Sequence, residues 1–299
     1  MELLEAMINS YYSEKLKHDT RPMRKFHPST IGMCQRRIVF DMLMVPYKPH
    51  ESQLVRIFEN GHSMHHRYEK LFKDMGILVQ AEMKLENEDI SGHTDALVKI
   101  QSFMNPFGEY YLIELKSAFS KSFEWMQKNN SPKAEHKAQL TFYLYLAQTM
   151  LNLDVRKGII FVENKDTQEV WEHHLDYDPR FGEQLMEKAR TLIQLAKERR
   201  LPEIPKGHTP SFYKCAQCNY NFYCHGDSRK NDGQVRYPIP FQFGSPIYQD
   251  VLTILHAIQN GLPIPDVIKG DTNGDLVREV TERNTTNHNM QRWMDLDVR

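Results

Sequence analysis

The apolar residues of this chain recur with two different periods, one typical of strands and one typical of helices. A period of two, in which side chains alternate between the faces of a sheet, predicts strands at residues 77–86 and 90–100. Residues 110–116 form a compact and mostly apolar run, which predicts a third strand. Two further strands are predicted at residues 158–163 and 169–175.

A period near 3.6 predicts the helices. The segments with this period are 1–17, 53–75, 135–152, 179–200 and 247–260, and a further helix is expected to run through Cys34 toward Met44. Ser29 and Thr30 are of a type that caps helices, so we expect one of them to begin the helix that contains Cys34. Gly76 is expected to end the third helix.

Strands and helices in this order predict an α/β fold with a mixed central sheet flanked by helices. We expect an N-terminal helical region at residues 1–52, a core at 53–200, a cysteine segment at 201–226 and a C-terminal extension at 227–299. A basic, proline-containing connector is predicted at 18–28.

The composition is that of an ordinary globular protein, with 40% hydrophobic and 26% charged residues and a formal net charge of -1. A strongly basic chain is excluded, so any contact with nucleic acid would need a local basic patch. The acidic start and the lack of a run of about 18 apolar residues favour a cytoplasmic protein outside the membrane. The four cysteines are too few for a disulfide scaffold, and their clustering favours metal binding.

Two acidic residues are predicted on neighbouring strands. Glu114 and Lys116 share one strand face, Ile113 and Leu115 point into the core, and strand pairing can bring Asp95 beside Glu114. Adjacent carboxylates repel each other unless a cation lies between them, and oxygen ligands favour Mg²⁺ or Mn²⁺. Such a metal would polarise a phosphate and activate water, with Lys116 at the same site. The alternative is a hairpin with ordinary surface charges.

One face of the third helix carries a histidine. The residues on this face are Ile57, Gly61, His65, Tyr68 and Leu71, so we expect His65 to face the sheet. Gly61 would allow a close approach of backbone or ligand. His65 is either a core residue or a third metal ligand beside the two carboxylates.

The helix that follows the strands places Gln139 and Tyr143 on one face, four residues apart. Gln139 could hydrogen-bond DNA or orient Lys116, and Tyr143 could stack on a base or contact a phosphate. Ordinary helix packing is the alternative. The buried stripe beside them is predicted to contain Leu140, Leu144, Ala147 and Leu151.

The four cysteines consist of a compact group, Cys215, Cys218 and Cys224, and the distant Cys34. Together they predict a four-cysteine site that closes a very long loop and stabilises the fold. Both Zn²⁺ and a [4Fe–4S] cluster accept four thiolates, and the spacing matches a pair of CxxC motifs poorly. His208 and His225 are alternative ligands.

These residues together resemble the RecB-like iron–sulfur nucleases of the PD-(D/E)XK class, which include the CRISPR-associated Cas-four type exonucleases and the nuclease domain of AddB helicase subunits. The resemblance covers about residues 29–224. In order, the matching motifs are Cys34, Gly61-x3-His65, Gly92-x2-Asp95, Glu114-x-Lys116, Gln139-x3-Tyr143 and Cys215-x2-Cys218-x5-Cys224.

The resemblance implies a restriction-endonuclease-like fold and an enzyme that cleaves DNA, most often single-stranded and from the 5′ end. It implies that His65, Asp95, Glu114 and the backbone carbonyl of Leu115 bind Mn²⁺ or Mg²⁺, with Lys116 as the catalytic lysine. Gln139 and Tyr143 match the motif that follows. The cysteines that would hold a [4Fe–4S] cluster are Cys34, Cys215, Cys218 and Cys224.

Thr94 stands where the class name has a proline. The chain also continues for about 75 residues past Cys224, a length that could serve a homo-oligomer or a protein partner. The rival hypothesis is a non-catalytic DNA-binding or assembly module whose four cysteines hold iron–sulfur or zinc.

Overall fold

The structure is a computed structural model that describes residues 3–15, 24–47, 50–101, 103, 105–225, 239–241 and 246–265. The chain divides into two compact units. The first unit, called the nuclease unit after the family that the sequence resembles, contains Met23–Leu43 and Phe58–Pro202. The second unit contains Met1–Pro22, Met44–Ile57 and Glu203–Arg299. The domain boundaries expected from the sequence stay a prediction.

In the middle of the chain, five successive strands are followed by two helices, two more strands and another helix. The strands are β1 (Leu78–Ala81), β2 (Lys84–Glu86), β3 (Ser91–His93), β4 (Ala96–Ile100), β5 (Glu109–Ala118), β6 (Lys157–Asn164) and β7 (Val170–Asp176). The helices are α1 (Leu3–Lys15), α2 (Gln35–Met42), α3 (Ser52–Asp74), α4 (Ser120–Lys128), α5 (Ala134–Leu151), α6 (Pro179–Lys197), α7 (Tyr213–Ala216), α8 (Asn221–His225) and α9 (Pro246–Gln259).

A mixed sheet forms the centre of the nuclease unit. Its five strands lie in the order β1-β4-β5-β6-β7. β5 and β6 are parallel, whereas the other neighbouring strands are antiparallel. A parallel pair needs a long crossover, and α4 and α5 supply it between β5 and β6. β2 and β3 pair as a separate antiparallel hairpin. The α/β class with a mixed sheet is therefore confirmed.

Both faces of the sheet are covered by helices. On one face, Leu112 of β5 and Phe142 of α5 belong to the main apolar core, which α6 extends through Leu192. α5 lies between the sheet and α6, so residues 138–147 are buried all around this helix. On the other face, Met64 and Tyr68 of α3 pack against the sheet in a smaller core.

The second unit contains α1, the first turn of α3, and α7 to α9. Asn9 of α1 accepts hydrogen bonds from Ser52 (2.8 Å) and Arg56 (2.9 Å) in α3. Tyr220 packs edge-on against Tyr47 with ring centroids 5.8 Å apart. These polar and aromatic contacts connect segments that are distant in the sequence.

Two of the predicted strands are interrupted. The prediction at 77–86 divides into β1 and β2, because Glu82 adopts a left-handed backbone conformation with φ of 43° between them. The prediction at 90–100 divides into β3 and β4, which pair with different partners. The continuous strands predicted there were wrong, and the break after β3 leaves Asp95 outside both ladders.

The predicted start of α2 was also wrong. Ser29 and Thr30 belong to a single 3-10 turn, Pro28–Thr30, and Cys34 is the residue that precedes α2. The hydroxyl of Thr30 donates to the carbonyl of His27 (2.7 Å), so this side chain serves the turn and not the helix.

The buried face of α3 differs from the predicted one. Met64 and Tyr68 are buried, whereas Ile57 and Leu71 are 45% and 44% exposed. A Cβ added to Gly61 would meet no atom within 4 Å, so the expected close approach does not occur. Met64 and Tyr68 are four residues apart and so lie on one face of α3. This is the face that contacts the sheet.

Two smaller predictions about helices also failed. The helix α4 was missed, because its polar sequence buries only Phe123 and Met126. Leu151 was expected in the buried stripe of α5 but is exposed, since it is the last residue of the helix and Asn152 then turns the chain with φ of 52°.

Residues 16–23, 226–238 and 266–299 lie outside the described residues. The predicted connector at 18–28 and the predicted extension at 227–299 are therefore described only in part. Among the helices that are described, none combines the length and the apolar character that crossing a membrane requires.

The contact between α5 and β6 predicts a change in stability. A Cβ at Gly158 would lie 2.8 Å from Cδ2 of Leu140, so Gly158→Ala must displace this buried side chain. We expect the free energy of unfolding in urea to fall by about 1–3 kcal/mol. Gly61→Ala is the control, since it adds a methyl group to a helix interior in open space and should raise stability by about 1 kcal/mol. A Gly158→Ala protein as stable as the wild type would contradict this close packing.

Candidate active site

Asp95 lies where the chain passes from the β2–β3 hairpin into the central sheet. Ala96 pairs with Ile113 in the antiparallel ladder of β4 and β5, so Asp95 lies at the level of Glu114. Its Oδ2 accepts a hydrogen bond from the backbone N–H of Leu115 at 2.6 Å. The two acidic residues expected to meet are therefore brought together, and the bond to β5 fixes the Asp95 side chain.

Glu114 is a fully buried carboxylate, with 0% of the residue exposed. Lys116 forms an ion pair with one of its oxygens, but neither oxygen takes part in a hydrogen bond of regular geometry. Burial raises the pKa of Glu114 to about 7, against the opposing effect of Lys116 and with the support of the nearby Asp95 charge. An additional cation nearby would stabilise the charged form of this buried carboxylate.

Lys116 lies on the same face of β5 as Glu114, as the strand period predicted. Both faces of β5 are nevertheless covered, because Leu112 belongs to the main core and Ile113 and Leu115 belong to the smaller one. Burial works to lower the pKa of Lys116, but the negative charges of Glu114 and Asp95 outweigh it and the pKa is raised. The lysine is therefore an ammonium group held beside the acids.

His65 approaches the same acids from α3. Its Nδ1 lies 3.3 Å from Oδ1 of Asp95, and its side chain is one-third exposed. Burial lowers the pKa of His65, but the hydrogen bond and the charge of Asp95 more than compensate, and the pKa is raised overall. The imidazole, two carboxylates and one ammonium group thus lie in a single cluster.

α5 closes the cluster from the side of the main core. Gln139 and Tyr143 are both buried on this helix, four residues apart. The pKa of Tyr143 is raised, first by burial and then by the charges of Glu114 and Asp95. Tyr143 therefore lies close enough to both acids to sense their charge.

His136 is a member of this neighbourhood that the sequence analysis did not select. Burial lowers its pKa to about 3, and the positive charges of Lys116 and Lys133 act in the same direction. Its Nδ1 is buried without a hydrogen-bond partner. His136 precedes Gln139 by three positions and Tyr143 by seven, so the helical period that selected those two residues could also have identified it.

The donor set suits a hard divalent cation, since it combines two carboxylates, one of them buried without a hydrogen bond, with an imidazole. Within the described part of the chain, no group of three or more His, Cys, Asp or Glu side chains is arranged to hold a metal ion. We attribute the lack of such a group at Glu114 to Lys116. Its ammonium group contacts the Glu114 carboxylate in the position of a counter-ion.

None of the four cysteines forms a disulfide, and all four are half-buried. Cys34 precedes α2 in the nuclease unit, whereas Cys215 lies in α7 and Cys224 in α8 of the second unit. Cys218 lies between α7 and α8, and its backbone N–H donates to the carbonyl of Cys215 at 3.0 Å. Of the two alternative ligands, His208 packs its ring on Phe212, and His225 ends α8.

A match to a known family is consistent with this geometry. Residues 50–225, more than half of the chain, match the family model of the PD-(D/E)XK nuclease superfamily. The chain belongs to this superfamily. Nucleases of the superfamily typically use Mg²⁺ or Mn²⁺.

Three solved structures are similar to this chain. SSO0001 has a TM-score of 0.44 and 18% identity, over 74% of this chain and 96% of that chain. LHK-Exo, an alkaline exonuclease from Laribacter hongkongensis, has a TM-score of 0.42 and 12% identity, over 58% and 89%. Its complex with dAMP has a TM-score of 0.42 and 13% identity over the same shares. No curated protein matches this nuclease in sequence.

The buried state of His136 predicts a dependence of stability on pH. Because its pKa falls from 6.5 to about 3 on folding, the unfolded chain binds more protons between these values, and stability is lost as pH falls below about 6.5. His136→Gln should therefore reduce the loss of unfolding free energy between pH 7 and pH 5 by about 2 kcal/mol.

The measurement is urea unfolding of both proteins at pH 7 and pH 5. His66→Gln is the matched control, because His66 is also a histidine of the nuclease unit but its side chain is 76% exposed. An unchanged difference between the two pH values in His136→Gln would show that His136 is not buried in its neutral form.

Proposed function

We propose that this nuclease is a metal-dependent deoxyribonuclease that degrades single-stranded DNA as an exonuclease, with preference for the 5′ end. The observation that carries the proposal is the buried Glu114 carboxylate beside Asp95, with Lys116 and His65 in contact with the pair. The preference for single strands and for the 5′ end follows from the resemblance to RecB-like nucleases.

The proposed metal ligands are His65, Asp95, Glu114 and the backbone carbonyl of Leu115. Mg²⁺ or Mn²⁺ bound there would polarise the scissile phosphate and lower the pKa of a water molecule. The backbone N–H of Leu115 holds Asp95 in place through its hydrogen bond. Asp95 in turn lies next to the imidazole of His65, so the ligands restrain one another before any cation is present.

Lys116 is the proposed catalytic lysine. In the metal-free protein it neutralises Glu114, and a cation at Glu114 would make this role unnecessary. The ammonium group would then donate a hydrogen bond to the attacking water or to the phosphate oxygen on which negative charge develops. In the metal-free protein the charges of Glu114 and Asp95 raise its pKa.

Gln139 and Tyr143 are proposed to support the site from α5. Both are buried, and Tyr143 lies close enough to Glu114 and Asp95 for their charges to raise its pKa. In the proposed roles, Gln139 orients Lys116 and Tyr143 contacts a phosphate of the bound strand. Burial of Tyr143 favours a role next to the scissile phosphate over stacking on a distant base.

Removing any one of the three charged groups is expected to abolish cleavage. Asp95→Asn, Glu114→Gln and Lys116→Gln should each lower the rate by at least about 100-fold, because each removes charge that acts on the transition state. The assay is a time course with Mn²⁺ on single-stranded DNA labelled at the 5′ or the 3′ end. A 5′ exonuclease releases the 5′ label at once, in short products, and leaves a closed single-stranded circle intact.

Glu109→Gln is the matched control, because Glu109 lies on the same strand but forms an exposed ion pair with Lys157. It should cleave at the wild-type rate. If all three site variants retained cleavage, the site assignment would be wrong. Cleavage of the circle would identify an endonuclease.

We also propose that the chain belongs to the iron–sulfur branch of RecB-like nucleases, with Cys34, Cys215, Cys218 and Cys224 as ligands of a [4Fe–4S] cluster. Support comes from the cysteine spacing, a compact group of three with a distant fourth. The three clustered cysteines lie in and between two short helices. A cluster would close the loop from residue 34 to residue 224 and so stabilise the fold.

The cluster proposal predicts a brown protein after purification without oxygen. We expect broad absorption in the blue and four iron and four sulfide ions per chain, both lost in Cys224→Ser. His208→Ala is the control for the alternative ligand and should keep the colour. A colourless protein that contains zinc would favour the zinc site, and a protein without either metal would contradict both.

A further inference from the structure

An ionic cluster joins β6 to α3, next to the proposed metal ligands but separate from them. The side chain of its arginine, Arg67, is 53% exposed. The Glu163 side chain is only 6% exposed. Its two oxygens accept hydrogen bonds from the guanidinium of Arg67 at 2.5 and 2.6 Å, and the hydroxyl of Tyr68 donates to it at 2.6 Å. The Arg67 guanidinium also lies 5.2 Å from the centre of the Tyr68 ring.

This cluster lies close to the catalytic end of the sheet. Ser117 pairs with Glu163 and Glu114 pairs with Ile160, so Glu163 is three residues along β6 from the level of Glu114, or about 10 Å. It lies on the sheet face that α3 covers, since Tyr68 also packs against Phe161 of β6 with ring centroids 5.0 Å apart.

All the partners of Glu163 in this cluster come from the helical turn that begins at His65. Arg67 follows His65 by two residues and Tyr68 by three. Apolar contacts of Met64 and Tyr68 with the sheet are non-directional and would tolerate a small rotation of α3. Charge-assisted hydrogen bonds to a rigid strand depend on direction and would not.

We infer that Glu163 is a positioning residue, which fixes the rotation of α3 so that His65 meets Asp95. This inference rests on the proposed function. The 3.3 Å contact between His65 and Asp95 then depends on a carboxylate that touches neither residue. A purely structural role would change stability and leave metal affinity unaltered.

The test measures Mn²⁺ binding by calorimetry and nuclease rate as a function of Mn²⁺ concentration in the full chain. Glu163→Gln keeps the shape of the side chain and removes its charge. Residues that orient metal ligands typically contribute 10–100-fold to affinity, so the dissociation constant for Mn²⁺ should rise by about 10-fold or more. The rate at saturating Mn²⁺ should stay within about twofold of the wild type, because Glu163 acts on binding and not on the reaction.

Glu109→Gln is again the control, and here it is closely matched. Glu109 accepts hydrogen bonds from one cation, Lys157 at 2.9 Å, and from one tyrosine, Tyr111 at 3.0 Å, but it lies at the other end of β5. We expect its Mn²⁺ affinity to equal that of the wild type. Circular dichroism establishes that each variant is folded.

Tyr68→Phe is the second variant, because it removes one hydrogen bond to Glu163 and keeps the ring packing. Tyr68→Phe should also raise the dissociation constant for Mn²⁺. If Glu163→Gln does not fold, Tyr68→Phe alone tests the inference. Wild-type Mn²⁺ affinity in the folded variants would overturn the inference. A wild-type protein that neither binds Mn²⁺ nor cleaves DNA would instead overturn the proposed function.

Discussion

The cost of burying the Glu114 carboxylate is the constraint on which the rest of the site depends. A buried carboxylate is unfavourable unless an opposite charge and hydrogen bonds compensate it. The side chain of Glu114 is fully enclosed, its oxygens lack regular hydrogen bonds, and its pKa is raised to about 7. Lys116 supplies part of the compensation from the same strand. The part of the burial cost that Lys116 does not compensate is the reason that binding a cation there would be favourable.

The fold supplies this constraint through its topology. The crossover from β5 to β6 passes through α5, which covers the face that Glu114 and Lys116 share, and α3 covers the opposite face. Residues 112–115 of β5 are thereby buried. Asp95 lies between β3 and β4 and accepts a hydrogen bond from the backbone N–H of Leu115. The approach of α5 to within van der Waals contact of Gly158 and the cluster of Glu163 with α3 hold the two covering helices on the sheet.

Much of this site is visible in local sequence patterns, because it depends on periods of two and 3.6. The strand period placed Glu114 beside Lys116, and the helix period placed Gln139 beside Tyr143. What the sequence could not reveal depends on contacts between distant segments. Glu163 and Arg67 are 96 residues apart, and the left-handed residue Glu82 that interrupts the first predicted strand has no special side chain. The exposed side of α3 was misjudged because a helix with several apolar stripes does not specify which one meets the sheet.

The central claim is that Asp95 and Glu114 bind one divalent cation together. Anomalous diffraction from crystals grown with Mn²⁺ tests it most directly, because the metal is located without reference to activity. We expect one strong peak between the two carboxylates, within bonding distance of both and of His65. We also expect that Lys116 no longer contacts Glu114. A well-ordered site without that peak, in which Lys116 still contacts Glu114 at saturating Mn²⁺, would contradict it.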